Sequence, residues 1–327
     1  MITDFLDSLP PQVLERSKNL DLKIRSVNAH EAIDKILALS VLRGGKRLRP
    51  LLTYLVANLF KVDFDKVLPF ARASELVHAA SLSHDDVIDN ATMRRGAPSI
   101  NILSSNKRSV LAGDYLLSSV IVDLCSSGEL ELVKEMSLVI KDLSEGEWLQ
   151  LDLIENRQYS RELIREVAQK KTSSVMSYCT VAPAILAQLP LNIQTLCRDF
   201  GQSLGLAFQL IDDTLDYSGN SLKDQELDLK NGIVNAVVFE ALSANADLMK
   251  SFQEGADLSL ILADLNILPY VDMISKEAEA QLERAANLLI DLKSFLATSI
   301  YLNNEAELNE NLSYLQIIIS YMALRKN

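Results

Sequence analysis

His84-Asp85-Asp86-Val87-Ile88-Asp89 is the stretch that decides the fold, together with a second stretch, Gln209-Leu210-Ile211-Asp212-Asp213-Thr214-Leu215-Asp216. Each carries the pattern D-D-x-x-D at the end of an apolar helical run, with its first and last aspartates four residues apart. On an α-helix, residues at that spacing share a face one turn apart. Two such helices facing each other would gather carboxylates around one space, which is unfavourable unless multivalent cations lie between them.

The composition favours long helices around a large core. The 327 residues are 48% hydrophobic and include only 11 Gly and 8 Pro. The chain has no Pro/Gly/Ser-rich linker and no abrupt change of composition, although its length would allow two domains. We therefore predict an all-α protein that forms a single domain over residues 1–327.

The apolar periodicity predicts most of the helices directly. A basic turn, Arg43–Pro50, separates the first helix from the second, and Ser and Thr within Lys170–Thr180 predict a local break. Acidic residues at the end of the helix that carries Asp85 oppose the helix dipole, a conflict that functional sites tolerate. We find no strand alternation. The predicted helices cover residues 11–42, 51–57, 69–90, 109–126, 129–157, 161–187, 193–217 and 232–253, with more after 258.

Charge excludes one class of partner and suggests another. A formal net charge of -12 makes nucleic-acid binding a poor prediction. Local basic clusters in so acidic a chain suggest sites for small anions, although any one of them alone is more often a solvated helix end. The turn Arg43–Arg49 is the best candidate, because helix N–H groups beside Lys46 and Arg49 would attract an anion. The other clusters are Arg94–Arg95, Lys107–Arg108 and Lys170–Lys171.

The sequence predicts a cytoplasmic protein without a transmembrane segment. The first residues lack the charged and apolar regions of a signal peptide. Apolar stretches such as Val181–Leu186 are expected to be interrupted by proline or charge before they reach membrane-spanning length. The three cysteines lack metal-site spacing, which is typical of a reducing compartment.

Two acidic helices, several basic clusters and an apolar helical shell together predict a substrate with phosphate at one end and hydrocarbon elsewhere. Mg²⁺ prefers carboxylate, water and phosphate oxygens, so aspartate-bound Mg²⁺ would join such a phosphate to the protein. A diphosphate leaves readily only when its developing charge is neutralised by preorganised cations.

The sequence closely resembles the trans-isoprenyl diphosphate synthase (polyprenyl synthetase) family. The resemblance covers about residues 43–232, in family order. It implies an all-α fold of antiparallel helices around a deep central cavity, usually in a homodimer. The motifs that carry it are Gly44–Pro50, Glu75–Asp89, Met93–Gly96, Gly113-Asp114, Lys171-Thr172 and Phe208–Asp213.

The resemblance also implies roles for individual residues in a Mg²⁺-dependent condensation of isopentenyl diphosphate with an allylic diphosphate. Ionisation would give an allylic cation, which the double bond of isopentenyl diphosphate attacks before a proton is lost to the departing diphosphate. The implied catalytic residues are Asp85, Asp89, Arg94, Lys171, Gln209 and Asp212. Mg²⁺ would be held by Asp85, Asp89 and Asp212, with Asp86, Asp213 and Asp216 as weaker or indirect ligands. The allylic diphosphate would be contacted by Arg94, Lys171 and Lys223, and the reacting carbons would lie beside Thr172 and Gln209. The diphosphate of isopentenyl diphosphate would be bound by Lys46, Arg49, His78 and Arg95.

Several of these residues have an ordinary structural alternative. His78 could be a core histidine, but it lies seven residues before Asp85 on the same helical face. Gln209 could cap a core, but its spacing places it on the face of Asp212. We expect Asp114 to be a buried acid paired with a cation. Glu147, Trp148 and Gln150 could line the site, although Trp148 suits a core equally well.

The chain departs from the family after the second aspartate motif. Where the family usually has a Gly-Lys-x-Thr-x-Pro-like run, the sequence reads Gly232-Ile233-Val234-Asn235-Ala236. Ile233 therefore stands where a diphosphate-binding lysine is expected. Either Lys230 compensates or the allylic site has one cation fewer.

Small residues before Asp85 predict a long product. Ala80 and Ser81 stand where short-chain members of the family commonly have an aromatic floor. A helix from Pro69 to Asp85 would be about 25 Å long, enough for a polyprenyl chain to run along it. We therefore predict a long-chain, all-trans synthase, of about octaprenyl length and starting from farnesyl diphosphate, that supplies quinone side chains.

Three alternatives remain from the sequence alone. A deeper floor, for example from Tyr115–Val122, would give a farnesyl or geranylgeranyl diphosphate synthase. A class I terpene cyclase would normally lack one of the two D-D-x-x-D motifs and would not need Lys46, Arg49 and Arg95. A non-catalytic subunit of a heteromeric synthase would typically have lost its aspartates.

Overall fold

The all-α prediction is confirmed over the part of the chain that the computed structural model describes, residues 8–24, 30–217, 232–263, 265–297 and 304–324. The helices before residue 130 are α1 (Pro11–Lys18), α2 (Glu31–Leu39), α3 (Leu48–Leu59), α4 (Phe64–Ile88), α5 (Ile100–Leu103) and α6 (Asn106–Ser126). The next four are α7 (Leu130–Asn156), α8 (Arg161–Ala168), α9 (Ser174–Leu186) and α10 (Leu191–Leu215). The remaining ones are α11 (Ala236–Ser243), α12 (Ala246–Gln253), α13 (Leu258–Leu262), α14 (Leu268–Ala297) and α15 (Glu305–Leu324).

The residues fall into two compact units. Unit one comprises residues 1–140 and 178–194, and unit two comprises residues 141–177 and 195–327. The first aspartate motif and the basic turn belong to unit one, whereas the second motif and the Lys170–Lys171 pair belong to unit two. The organisation of the chain as a single domain stays a prediction.

Helix α4 is the central element of unit one. It begins at Phe64, five residues before the predicted start, because the side chain of Asp63 accepts a hydrogen bond from the Asp65 N–H at 2.9 Å and caps the helix. Pro69 lies within α4, where it removes one helix hydrogen bond without ending the helix. The helix runs to Ile88, with Asp89 as its C-cap, so the predicted position of the first aspartate motif at a helix end is confirmed.

Small residues let α6 approach α4 closely beside the aspartates. The hydroxyl of Ser83 donates to the carbonyl oxygen of Ser109, and the hydroxyl of Ser109 donates to the carbonyl oxygen of Ser83, both at 2.8 Å. A Cβ atom built on Gly113 would lie 2.2 Å from Nε2 of His84. This reciprocal pair and the missing side chain at Gly113 fix the last turns of α4, from which Asp85 and Asp89 project.

The predicted helix over residues 11–42 is interrupted. Helix α1 ends at Lys18, and the chain then alternates buried Leu20, Leu22 and Ile24 with exposed residues. That two-residue period is typical of extended backbone, and the five-residue run is too short to stand out among longer helical patterns. The buried guanidinium of Arg72 donates to the carbonyl oxygens of residues 21 and 23 and pairs with Asp123, which holds the segment in place.

A β-hairpin follows α4, where the sequence showed no strand alternation and therefore predicted no strand. Strand β1 (Met93–Arg94) pairs antiparallel with β2 (Ala97–Pro98). The two connecting residues, Arg95 and Gly96, have φ values of 51° and 73°. Positive φ at both turn positions is the signature of a type I′ turn. Two-residue strands are too short to show alternation. The turn directs the Arg95 side chain toward the carbonyl oxygens of Val41 and Arg43.

Unit two contains the irregularity that was predicted within Lys170–Thr180. A π-helical turn, Gln169–Ser173, separates α8 from α9. The predicted helix over residues 232–253 divides into α11 and α12, because Asn245 ends one and caps the next by accepting from two backbone N–H groups, those of Asp247 and Leu248. Side chains that cap backbone N–H groups often create such boundaries between helices.

Helix α6 is long and apolar enough to cross a membrane by length and composition, and 33% of its most apolar window is buried. Asp114 and Asp123 are the only charged residues within 109–126, so charge interrupts this stretch as expected, but the prediction that the chain has no transmembrane segment is not confirmed for α6. One face of the helix packs on α4, and the exposed side chains on its other face include Leu111 and Val122.

Candidate active site

The three aspartates of the first motif occupy two different environments. Asp85 and Asp89 are partly exposed at the end of α4, one turn apart. Asp86 points the other way and is 0% exposed. The predicted common face of Asp85 and Asp89 is therefore accessible to a ligand, whereas Asp86 is directed into the protein.

Asp86 holds Arg94, the residue that the resemblance assigns to the allylic diphosphate. Its Oδ1 accepts from Nε of Arg94 at 2.8 Å and lies 2.6 Å from Nη2. Burial raises the pKa of Asp86, and Arg94 opposes that shift. Asn101, which sequence reasoning did not single out, donates to the carbonyl oxygens of Asp86 and Ala91 at 3.0 Å and ties α5 to the end of α4.

The accessible face of α4 extends from the aspartates through Ser81 to His78, all partly exposed. Ala80 is 0% exposed, so of the two predicted chain-length residues only Ser81 presents surface to a substrate. Residues 70–77 of α4 are all buried. The predicted path for a product chain along this helix therefore has no accessible lining on α4 between Pro69 and His78.

Two of the predicted basic clusters come together in unit one. Nη1 of Arg95 donates to the Val41 carbonyl oxygen at 3.0 Å and to that of Arg43 at 3.3 Å. The guanidinium also lies under Gly45, where an added Cβ would be 3.2 Å from Nη1. Arg95 thus fastens the basic turn Arg43–Arg49 to the hairpin. Nε of Arg49 is buried and lacks a hydrogen-bond partner among the described residues.

His78 lies among these cations. Burial, and then the positive charges of Arg49, Arg95, Arg94 and Arg47, lower the pKa of His78 well below its ordinary value. The imidazole is therefore neutral near pH 7, and it can donate one hydrogen bond without adding charge. The basic surroundings agree with the predicted anion-binding role better than with the alternative of a core histidine.

Other sequence-predicted residues of unit one lie outside this cluster. Lys107 and Arg108 are exposed at the start of α6, where Arg108 donates to Ser104, so the interpretation as a solvated helix end holds for them. Asp114 is not buried as expected: its side chain is 61% exposed and lies 3.4 Å from Nε2 of His84. The missing side chain at Gly113 leaves the room that His84 needs to reach it.

In unit two, the second aspartate motif is organised around a buried carboxylate. Asp213 accepts from Nε2 of Gln209 at 2.9 Å and from the Ala236 N–H at 3.1 Å. Burial raises its pKa to about 7; the two hydrogen bonds oppose the shift, and Asp216 and Asp212 add to it. Asn235, which the sequence did not single out, caps α11 and places its amide nitrogen 3.4 Å from Asp216.

The predicted pair beside the reacting carbons lies together. The hydroxyl of Thr172 donates to Oε1 of Gln209 at 2.7 Å, so Gln209 joins the π-helical turn to Asp213. Lys171 pairs with Glu147 and donates to Gln150 at 3.1 Å. Trp148 is 71% exposed and is not a core residue.

The π-helical turn lies between two glycines of neighbouring helices. A Cβ on Gly146 of α7 would be 2.8 Å from Cβ of Lys170 and from Cγ of Lys171. A Cβ on Gly205 of α10 would be 2.4 Å from Cα of Ser173. Both glycines therefore admit the turn that presents Lys171 and Thr172.

Gly205→Ala should lower the free energy of unfolding by about 1–2 kcal/mol, since overpacking costs about 1–3 kcal/mol and better helix propensity returns less than about 1 kcal/mol. Chemical denaturation would measure it. Gly146→Ala is the graded comparison and should lose less, because its closest contacts are side-chain atoms. Equal stability of Gly205→Ala and wild type would contradict this packing.

The structure describes only part of the segment that follows the second aspartate motif. Lys223 and Lys230 lie outside the described residues. Ile233 is described and partly buried. The hydroxyl of Tyr159 donates to the Gly232 carbonyl oxygen at 3.1 Å, and this bond anchors the segment that leads to Asn235 and Ala236.

The arrangement of carboxylates suits a metal that the substrate helps to bind. Within the described ranges, no group of three His, Cys, Asp or Glu side chains is close enough to form a preassembled metal site. Mg²⁺ is typically held by one or two carboxylates together with water and substrate phosphates. The partly exposed oxygen donors of Asp85 and Asp89 fit that requirement.

Comparison with known proteins now decides the family. The model of the family described as polyprenyl synthetase matches residues 30–257. This chain belongs to the polyprenyl synthetase family. The match spans well over half of the chain and includes both aspartate motifs, so the resemblance noted from the sequence is confirmed.

Named relatives and solved structures agree with that membership. Solanesyl-diphosphate synthase 1, mitochondrial, from Oryza sativa subsp. japonica is 35% identical over 233 residues, which are 65% of this chain and 54% of that protein. The chain thus spans about half the length of this curated relative. The decaprenyl diphosphate synthase of Rhodobacter capsulatus has a TM-score of 0.79 at 26% identity, with 99% of both chains covered.

A third neighbour was solved with ligands. The polyprenyl synthase from Caulobacter crescentus CB15, complexed with calcium and isoprenyl diphosphate, has a TM-score of 0.74 at 26% identity and covers 98% of this chain and 97% of its own. These structural similarities show that this member of the polyprenyl synthetase family has the isoprenoid synthase fold.

Proposed function

We propose that this protein is a trans-polyprenyl diphosphate synthase that condenses isopentenyl diphosphate with an allylic diphosphate. One observation carries the proposal most directly: α4 ends in two accessible carboxylates, Asp85 and Asp89, while the buried Asp86 between them holds the guanidinium of Arg94. Two carboxylates that could bind a metal, and the aspartate that orients a cation, therefore lie within about one turn of α4. A reaction that expels diphosphate requires both kinds of group.

Asp85 and Asp89 would hold Mg²⁺ on the first motif, and Asp212 and Asp216 would do so on the second. When bound, Mg²⁺ would neutralise the charge that develops on the departing diphosphate. Asp86 and Asp213 would serve these neighbours indirectly, since their carboxylates are buried and bonded to Arg94 and to Gln209 with the Ala236 N–H.

The cations of this chain would bind the two diphosphates. Arg94 and Lys171 would orient the allylic diphosphate, and Lys223 would add a charge to it. Lys46, Arg49 and Arg95 would bind the diphosphate of isopentenyl diphosphate, to which the neutral His78 would donate one hydrogen bond. Preorganised donors of this kind lower the barrier because they need not reorient as charge develops.

The bonded pair Thr172–Gln209 would lie beside the reacting carbons. The allylic C–O bond breaks, the double bond of isopentenyl diphosphate forms the new C–C bond, and the departing diphosphate accepts the proton that is lost. This route needs no side-chain base. Ile233 supplies no charge, so either Lys230 compensates for the expected lysine or the allylic site has one cation fewer.

We propose a long product, of about octaprenyl length, made from farnesyl diphosphate and used for quinone side chains. The small residue at Ser81 supports this length, as do relatives whose names specify solanesyl and decaprenyl products. Exposed Leu111 and Val122 on α6 support a homodimer, which sedimentation would test. A cytoplasmic location stays a prediction, since the rice relative is named mitochondrial.

The deciding experiment incubates the purified protein with farnesyl diphosphate, isopentenyl diphosphate and Mg²⁺ and sizes the products. We expect an all-trans chain of about octaprenyl length. A product that stops at geranylgeranyl length would favour the short-chain alternative, and a cyclic hydrocarbon from the allylic substrate alone would favour a terpene cyclase. No turnover by the protein alone would favour a subunit of a heteromeric synthase.

A further inference from the structure

Glu75 is a buried carboxylate on α4 to which none of the roles above is assigned. Its side chain is 3% exposed. Oε1 accepts from Nη1 of Arg47 at 2.9 Å and lies 3.8 Å from Nη2 of Arg95. Oε2 is buried and lacks a hydrogen-bond partner among the described residues. A buried carboxylate with one unsatisfied oxygen is unfavourable, so its presence calls for a reason.

The two arginines come from two turns with unusual backbone conformations. Arg47 has a φ of 52° and follows Gly44 and Gly45, which also have positive φ. Arg95 has a φ of 51° in the hairpin turn. Residues other than glycine hold such conformations only where their surroundings fix them. The side chains of both turns converge on Glu75, and Arg47 is held further by the Leu42 carbonyl oxygen at 3.0 Å.

We propose that Glu75 is a positioning residue for the isopentenyl diphosphate site. Its carboxylate holds Arg47 and Arg95, and thereby holds the basic turn and the hairpin in the conformation that lets Lys46, Arg49 and Arg95 bind a diphosphate. This inference rests on the proposed function, because it takes the basic turn as the site of that substrate.

Two effects of removing the charge oppose each other. Losing a carboxylate makes the cluster more positive, which by itself would tighten the binding of an anion. It also leaves the largely buried guanidinium of Arg47 without its counter-charge, so that the turn must rearrange. Recognition of diphosphate by several fixed donors depends on their orientation. We expect the loss of orientation to dominate.

The test variant is Glu75→Gln, which keeps the size and one acceptor oxygen of the side chain and removes its charge. Calorimetric titration of the full chain with inorganic diphosphate should show affinity lower by about tenfold or more. If the enzyme turns over, KM for isopentenyl diphosphate should rise to a similar extent, while KM for the allylic substrate stays within about twofold.

The matched control is Glu240→Gln. Glu240 is also a buried carboxylate, and it accepts two hydrogen bonds from Arg161, each at 2.7 Å, in unit two. We expect it to lower thermal stability without changing the affinity for diphosphate. Arg47→Gln should reproduce the loss caused by Glu75→Gln, and the double variant should lose little more than either single variant, because both break one pair.

Three outcomes would overturn the inference. Tighter diphosphate binding by Glu75→Gln would make Glu75 only a counter-charge. Unchanged affinity in a folded variant would make it only a stabilising residue. Absence of diphosphate binding by the wild type would remove the site itself. A wild type that binds diphosphate without turning over isopentenyl diphosphate would instead count against the proposed function, and the binding comparison would still decide the role of Glu75.

Discussion

Replacing Asp85 with asparagine should lower the turnover number by about a hundredfold to a thousandfold, the range seen when one charge-stabilising group is lost from an active site. Asparagine keeps the shape of the side chain and removes the negative charge that a divalent cation requires. Asp85 lies on the accessible face of α4, so the variant should fold normally. Initial rates at several Mg²⁺ concentrations would measure the loss and any increase in the Mg²⁺ requirement.

Asp114→Asn is the matched control. Asp114 is an exposed acid on the neighbouring helix α6, and its partner is His84, the residue directly before Asp85. If proximity to α4 were sufficient to impair turnover, both variants would be impaired. We expect Asp114→Asn to retain turnover within a few-fold of wild type. A Mg²⁺ response of Asp85→Asn identical to that of wild type would contradict the metal-binding role of Asp85.

The features of the site that sequence reasoning anticipated are those that depend on periodicity within one helix. The D-D-x-x-D spacing placed Asp85 and Asp89 on one face, and the seven-residue spacing placed His78 on the same face. A helix fixes such relations without reference to the rest of the fold. The Thr172–Gln209 pair was anticipated through the family resemblance rather than by any spacing, since the two residues lie on different elements.

The features that were missed depend on contacts between segments. Burial of Ala80 and exposure of Trp148 depend on what packs over each helix, which the sequence of one helix does not determine. Glu75 was visible only as part of a family motif. A signal was available nonetheless: a charged residue within the buried run 70–77 of α4 requires a partner, and arginines abound in the neighbouring motifs.

The short irregular segments were missed for a different reason. The hairpin has two residues in each strand, and the extended run Leu20–Ile24 is five residues long. Neither is long enough for a two-residue period to be distinguished from a helical one. The Arg95-Gly96 dipeptide was a weak turn signal, because arginine rarely occupies a position with positive φ.

Ser81→Phe should shorten the product, whereas Ala80→Phe should destabilise the protein. Ser81 is partly exposed, one turn before Asp85, and its hydroxyl donates to the His78 carbonyl oxygen at 2.9 Å. Long side chains on a helix lean toward its N-terminus, so a phenylalanine at 81 would cover the turn toward His78 and block a growing chain soon after it passes the aspartates. We expect products that stop at about geranylgeranyl length in the sizing assay, which starts from farnesyl diphosphate.

Ala80 is fully buried, and a phenylalanine there would have to displace packed neighbours, at a cost of about 1–3 kcal/mol of unfolding free energy or more. Thermal unfolding of Ala80→Phe would reveal that loss, and what activity remains should give products of wild-type length. Ser313→Phe is the matched control for Ser81→Phe, since Ser313 is also a partly buried helical serine that donates to the carbonyl oxygen three residues earlier. If Ser81→Phe left product length unchanged while Ala80→Phe shortened it, the growing chain would pass the buried side of α4, and that side would have to open during synthesis.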